Sequence, residues 1–208
     1  MHVHLILLVV LCNVICLRAS RIMVSLFAIE LGSPQYLIGI MIGLYALFPA
    51  LLAVYAGRLS DRRGPRLPML GGSAGAALGL LIPFFQPSMT ALAVSAVVFG
   101  VSFIFYHVAV QNLLGVISTD ASRTRNFSNY SLMIAAGGFC GPLGAGLLID
   151  RIGFRETYLV AALFALLPLI LLVLLLRRLQ ATQAAAPATH AGETRPTRDL
   201  LRHAPLRG

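Results

Sequence analysis

The chain is 208 residues long, 58% hydrophobic and 11% charged, with a mean hydropathy of +0.87 and a formal net charge of +9. Soluble domains carry about 25% charged residues, so this balance sets the chain apart from them and points to lipid. All sixteen basic residues are arginines, clustered between apolar runs without interleaved aromatics, which is the pattern of membrane loops and not of a nucleic-acid face.

Measured against the roughly 20 apolar residues that cross a bilayer, the sequence predicts six spans, at about 4–31, 36–57, 67–85, 89–117, 129–149 and 156–176. The three cysteines, Cys12, Cys16 and Cys140, fall inside these runs and have no zinc-like spacing, so they read as buried, inert thiols. The first span could instead be a signal peptide with Leu5 to Leu17 as its apolar core. However, "MHVH" offers no Lys or Arg, and no small-x-small cleavage site follows. Arg18 lies mid-span, about 13 residues from either end or roughly 20 Å at helical rise, too far to snorkel. Arg21 and Ser25 share its helical face, and for Arg21, one turn further on, snorkelling to the interface stays open. Buried charge at that depth marks a pathway or a buried pair by default.

The second span ends in "GRLSDRRGPR", residues 57–66, a charged turn. Gly57 there is expected to let the second helix approach a neighbour closely, and Gly64 to allow a tight turn. In the third span Gly71, Gly75 and Gly79 fall four apart and predict a small-residue packing stripe. "GGSAG" at 71–75 also fits G-x-S-x-G, which raises a rival reading of an intramembrane serine hydrolase pairing Ser73 with His107. That pattern needs a strand–turn–helix setting that an Ala/Gly membrane helix does not supply, and the rhomboid-type motifs are missing. The fourth span places His107 and Gln111 on one face. After the break "STDASRTRNFS", the fifth carries "GGFCGPLGAG", where Gly137, Gly141 and Pro142 predict tight packing with a bend at the proline. It ends in "GLLIDRIGFR", residues 146–155. The sixth span is apolar all round. Residues 179–208, rich in Ala, Pro, Thr and Arg, read as a disordered cytoplasmic tail or a truncated inter-half linker, following a transmembrane bundle over 1–178.

With a cytoplasmic N-terminus the inner loops hold eight arginines (58, 62, 63, 66, 123, 125, 177 and 178) and the outer loops two, Arg151 and Arg155. The positive-inside rule therefore predicts a plasma (inner) membrane protein with both termini cytoplasmic. Gly57, Asp61, Arg62, Gly64 and Arg66 recur in register as Gly146, Asp150, Arg151, Gly153 and Arg155. Three crossings separate the two copies, so they belong on opposite sides of the membrane. The fold predicted is all-α, six transmembrane helices as a 3+3 inverted repeat, which is a transporter signature.

"GRLSDRRGPR" resembles motif A of the major facilitator superfamily, G-x-x-x-D-R-x-G-R-[KR], with Pro65 where the family usually has Arg. "GGFCGPLGAG" is similar to motif C of its drug–proton antiporters. Motif B has no counterpart: "YHVAVQNLLG" offers His107 and Gln111 instead. The resemblance covers about residues 4–178 and implies one half of a twelve-helix transporter working by alternating access, with no covalent step and no bound cofactor. It further implies that helices 1 and 4 line a central cavity, making Arg18, Arg21, His107 and Gln111 the substrate-site candidates. Helices 3 and 6 are then expected to face lipid, and motif A to latch onto a second half. Two arginines facing a cavity suggest an anionic or carboxylate-bearing small-molecule solute, while the motif C resemblance implies a drug-like one of efflux type; proton coupling through His107 stays open. The expected partners are the solute, the bilayer, and a second six-helix half from missing sequence or a homodimer, with no nucleic acid. Without that half, the chain reads as an inactive remnant.

Overall fold

The computed structural model describes residues 2–184. Six helices follow one another: α1 (His2–Glu30), α2 (Gln35–Arg63), α3 (Arg66–Phe85), α4 (Met89–Ile117), α5 (Asp120–Ile152) and α6 (Phe154–Ala184). Each is long and apolar enough to cross a membrane. Helices are the expected solution, because backbone N–H and C=O groups in lipid must be satisfied within the segment. Met1–Leu176 forms one compact unit, the bundle considered below, and Arg177–Gly208 falls in a second. Of the tail expected over 179–208, residues 179–184 continue α6 as helix, and those from 185 onward lie outside the described residues.

The charged stretches are not turns. α2 runs through Asp61 and Arg62 to Arg63, and α5 runs through Asp150 and Arg151 to Ile152. Arg, Ser and Asp continue a helix readily once it is nucleated, so polarity marked the edge of the apolar slab and not the end of the helix. Gly64 (φ 77°) and Gly153 (φ 85°) end the two helices in a conformation that L side chains rarely adopt. They are the same position in the two copies. "STDASRTRNFS" is likewise mostly helix, with Thr119 and Ser122 forming a capping box at the start of α5.

The two copies lie at opposite ends of the bundle. The Asn112 amide near the end of α4 donates to Asp61 Oδ1 at 3.0 Å, and Val3 and His4 of α1 share a pocket with Ile117 and Arg125 at that same end. At the other end the Phe27 ring, near the end of α1, stacks on Phe154 with centroids 5.0 Å apart. The strong helix pairs α1–α5 and α2–α4 exchange when the copies are swapped, as a 3+3 inverted repeat requires. α1 is the most enclosed helix and α2 and α5 the least.

Glycines set the closest crossings. A methyl group on Gly72 would lie 2.5 Å from the Ser102 carbonyl oxygen and 2.7 Å from Tyr106 Cβ; on Gly79 it would lie 3.2 Å from the Phe99 nitrogen. Gly75 abuts Ser102 in the same way. The α3–α4 seam therefore uses Gly72, Gly75 and Gly79, and the predicted Gly71 points into open space. Gly57 also has nothing near it, so its expected close approach is not made among the described residues. On α5, Gly137 packs against Val14 and Gly141 against Ile15 and Arg18, so these two residues do form the predicted tight contact. α5 continues without interruption through Pro142. α3 buries its Gly/Ala face while Leu67, Leu78 and Phe85 point outward; α6 buries Tyr158, Ala162, Ala165 and Leu172 and exposes Leu163, Leu166 and Ile170.

Two prolines are accommodated by specific neighbours. Pro49 in α2 and Pro83 in α3 lack the N–H that would bond the carbonyl four residues earlier, Tyr45 and Gly79 respectively. Gly100 of α4 lies against the Tyr45 carbonyl, and the Ser95 hydroxyl donates to the Gly79 carbonyl at 2.7 Å.

Candidate functional site

α1 carries the charged groups through the bundle interior. The stem of Arg18 is pinned where the α5 backbone crosses it, since a methyl on Gly141 would lie 2.7 Å from Arg18 Cβ. Arg18 and Arg21 are half-buried, and the Nε of each is buried without a hydrogen-bond partner. The Arg21 guanidinium lies 5.6 Å from the centroid of the Tyr45 ring, within cation–π range. Tyr45 is held from the other side by a hydrogen bond between its hydroxyl and Ser20. Ser25 donates back to the Arg21 carbonyl at 2.9 Å. The described acidic residues, Glu30, Asp61, Asp120, Asp150 and Glu156, sit within three residues of a helix end. No described carboxylate therefore shares the mid-span depth of Arg18.

On α4, His107 stands between Phe103 and Tyr130, with ring centroids 5.4 and 5.9 Å away. Gln111, one turn on, lies beside the Tyr130 hydroxyl, which is buried without satisfying hydrogen-bond geometry. The same holds for the buried Tyr106 hydroxyl beside Asn13 of α1. Arg21 and the His107–Gln111 pair thus meet different partners, Tyr45 and Tyr130, and Asn13 with Tyr106 stands where α1 and α4 come together. Asn13, Tyr45, Tyr106 and Tyr130 extend the predicted site. Asn13 was detectable as a polar residue inside an apolar run, whereas the tyrosines look like ordinary membrane aromatics until the helices are paired.

Ser73 does not form a dyad. Its hydroxyl is buried with no hydrogen-bond partner, His107 included, so nothing activates it as a nucleophile. Among the described residues no group of His, Cys, Asp or Glu is arranged to hold a metal.

The two copies of the charged motif have diverged in their contacts. In the first, Asn112 of α4 bridges Asp61 and Ser60, at 3.0 and 3.1 Å, while Arg62 is exposed. In the second, Asp150 and Arg151 are exposed, and Arg155 donates from Nε to the Phe84 carbonyl at 2.8 Å with its guanidinium over the Phe84 ring. That carbonyl is among the last four of α3, which have no acceptor role within their own helix.

Residues 6–207 match the sequence profile of the Major Facilitator Superfamily. The chain belongs to this superfamily. It is 31% identical over 122 residues to a multidrug efflux pump, LfrA, of Mycolicibacterium smegmatis, covering 58% of this chain and 24% of the pump. It is 31% identical over 124 residues to the class C tetracycline resistance protein of Escherichia coli, covering 60% of this chain and 31% of that protein. The chain thus spans about a quarter to a third of the length of these curated relatives. A crystal structure of a peptide transporter, POT, in complex with sulfate superimposes with a TM-score of 0.75 over 83% of this chain and 37% of the transporter, at 18% identity. At that identity the likeness is one of fold. This superfamily member is accordingly a multi-pass membrane protein.

Proposed function

We propose that this six-helix unit forms one wall of a transporter that exports a small organic solute carrying a negative group, by alternating access. The supporting observation is the pair Arg18 and Arg21: two half-buried guanidinium groups with no described carboxylate at their depth. An unpaired charge inside a membrane protein is costly, and a solute anion arriving at the site would relieve it. Relatives named for multidrug efflux and tetracycline resistance support the export direction. Tyr45, Tyr130, His107 and Gln111 supply the aromatic faces and hydrogen-bonding groups that orient a drug-sized ligand. The second wall comes from another six-helix unit, since a midplane site between repeats needs protein on both sides, and the little-buried outer faces of α2 and α5 are the natural seam for it. Arginine distribution supports an inner-membrane protein with the α1 start and the Asp61 end facing the cytoplasm.

The experiment is a susceptibility panel in an efflux-deficient bacterium expressing the chain within its transporter. Tolerance should rise for acidic compounds and fall back to the vector level in Arg21→Ala. A tolerance profile indifferent to that substitution would contradict the proposal.

A further inference from the structure

Two cavities adjoin at the end of α2 and share Leu59 and Arg63. One is an apolar crevice of about 240 Å³ between α2, α3 and α4, walled by Leu59, Leu67, Pro68, Val101 and Phe105. The other, also about 240 Å³, is lined by Tyr55 and three arginines, Arg58, Arg62 and Arg63. All three arginines are exposed at a helix end, where a bilayer-spanning helix meets the headgroup layer. Among the described residues none of the three has a hydrogen-bond or ion-pair partner.

We infer that this composite groove binds an anionic phospholipid, one acyl chain in the crevice and the phosphate on Arg58, Arg62 and Arg63. The occupant must be apolar at one end and multiply hydrogen-bonding and negative at the other, and it must reach the groove from within the bilayer. A membrane phospholipid with an anionic headgroup meets all three requirements, and guanidinium groups match its phosphate geometry. A basic pocket between membrane helices is the recurrent form of such a site.

The inverted repeat supplies an internal comparison. Leu148, Thr157, Val160 and Ala161 occupy the positions of Leu59, Pro68, Gly71 and Gly72 in the second copy, and they line a matching crevice of about 180 Å³ between α1, α5 and α6. Leu147 and Ile152 stand there in place of Arg58 and Arg63, and of the three arginines only Arg62 has a counterpart, Arg151. That crevice has the apolar wall without the arginine cluster, so the headgroup preference belongs to the first copy alone.

The test uses the full chain reconstituted in phosphatidylcholine vesicles with a minor fraction of phosphatidylglycerol, then re-extracted in mild detergent. Phosphatidylglycerol retained per protein is quantified by mass spectrometry. Wild type should retain it well above its vesicle fraction. Arg58→Gln/Arg62→Gln/Arg63→Gln should return the ratio to that of the vesicle, since each arginine near the surface is worth about fivefold in affinity. Gly71→Leu fills the crevice from a position with open space around it, so the fold is kept while the acyl site is lost, and retention should fall likewise. Either variant decides alone. No enrichment in wild type, or enrichment surviving in either folded variant, overturns the inference.

Discussion

The Ser95 hydroxyl of α4 donates to the carbonyl of Gly79 in α3, the acceptor that Pro83 leaves without its helical N–H. One hydrogen bond thus offsets a helix defect and ties the two helices at a glycine seam. Ser95→Ala is expected to destabilise the bundle by about 0.6–1.7 kcal/mol, the range of interhelical bonds in membranes. In a Pro83→Ala background the backbone regains an N–H that can serve the Gly79 carbonyl, so the same change should cost less. Equal costs in the two backgrounds, measured by denaturant titration in detergent micelles, would show that Ser95 does not act through that carbonyl.

The α1–α5 crossing makes a sharper distinction among the helix 5 glycines. Gly141→Leu drives a side chain into Arg18 and the Ile15 carbonyl and should cost about 3 kcal/mol, the upper end for overpacking, seen as aggregation on size exclusion. Gly144→Ala, with no atom within 4 Å of the added methyl, should elute as wild type.

These contrasts mark where the amino-acid sequence is readable. Six spans and their inverted order follow from the apolar ruler and from Gly64 and Gly153, whose shared backbone geometry is written as glycine in both copies. In the α3 seam Gly75 and Gly79 stand as expected, but Gly72 takes the place of Gly71, because glycine spacing gives a face but not which neighbour the face meets. Helix ends were misplaced at Arg63 and Ile152, where charge marks the edge of the apolar slab while the backbone continues. Ser95 with Gly79, and Asn112 with Asp61, depend on which helices pair, and periodicity along one chain carries no such information.

Asn112 is the partner of the motif A aspartate, and the bond can be weighed directly. Asn112→Leu removes donors to both Asp61 and Ser60 and should cost about 1 kcal/mol, lessened by the exposure of the site. Asp61→Asn should leave the Ser60 contact and cost less. A double-mutant cycle without coupling would remove the Asn112–Asp61 bond from the account.

Membrane orientation is checked by cysteine accessibility in a Cys140→Ser background, since Cys12 and Cys16 are buried as expected but Cys140, on the outer face of α5, is exposed. Gln35→Cys and Gln86→Cys should react with an impermeant thiol reagent applied to intact cells, and Arg63→Cys only after lysis. Arg63 is the exposed position at that end, whereas nearby Ser60 is 1% exposed and bonded to Asn112. Reaction at position 63 in intact cells would invert the orientation.

The proposal that Arg18 and Arg21 receive a solute anion is tested most directly by flux. Proteoliposomes of the assembled transporter, wild type and Arg18→Ala, are compared for uptake of an acidic solute exported by the wild type, at matched protein content. Losing a charge-assisted hydrogen bond inside the membrane predicts a fall of about tenfold or more in uptake. Arg18→Ala should nonetheless insert and purify normally, because the span sheds a buried charge. Undiminished uptake in folded Arg18→Ala would contradict the account.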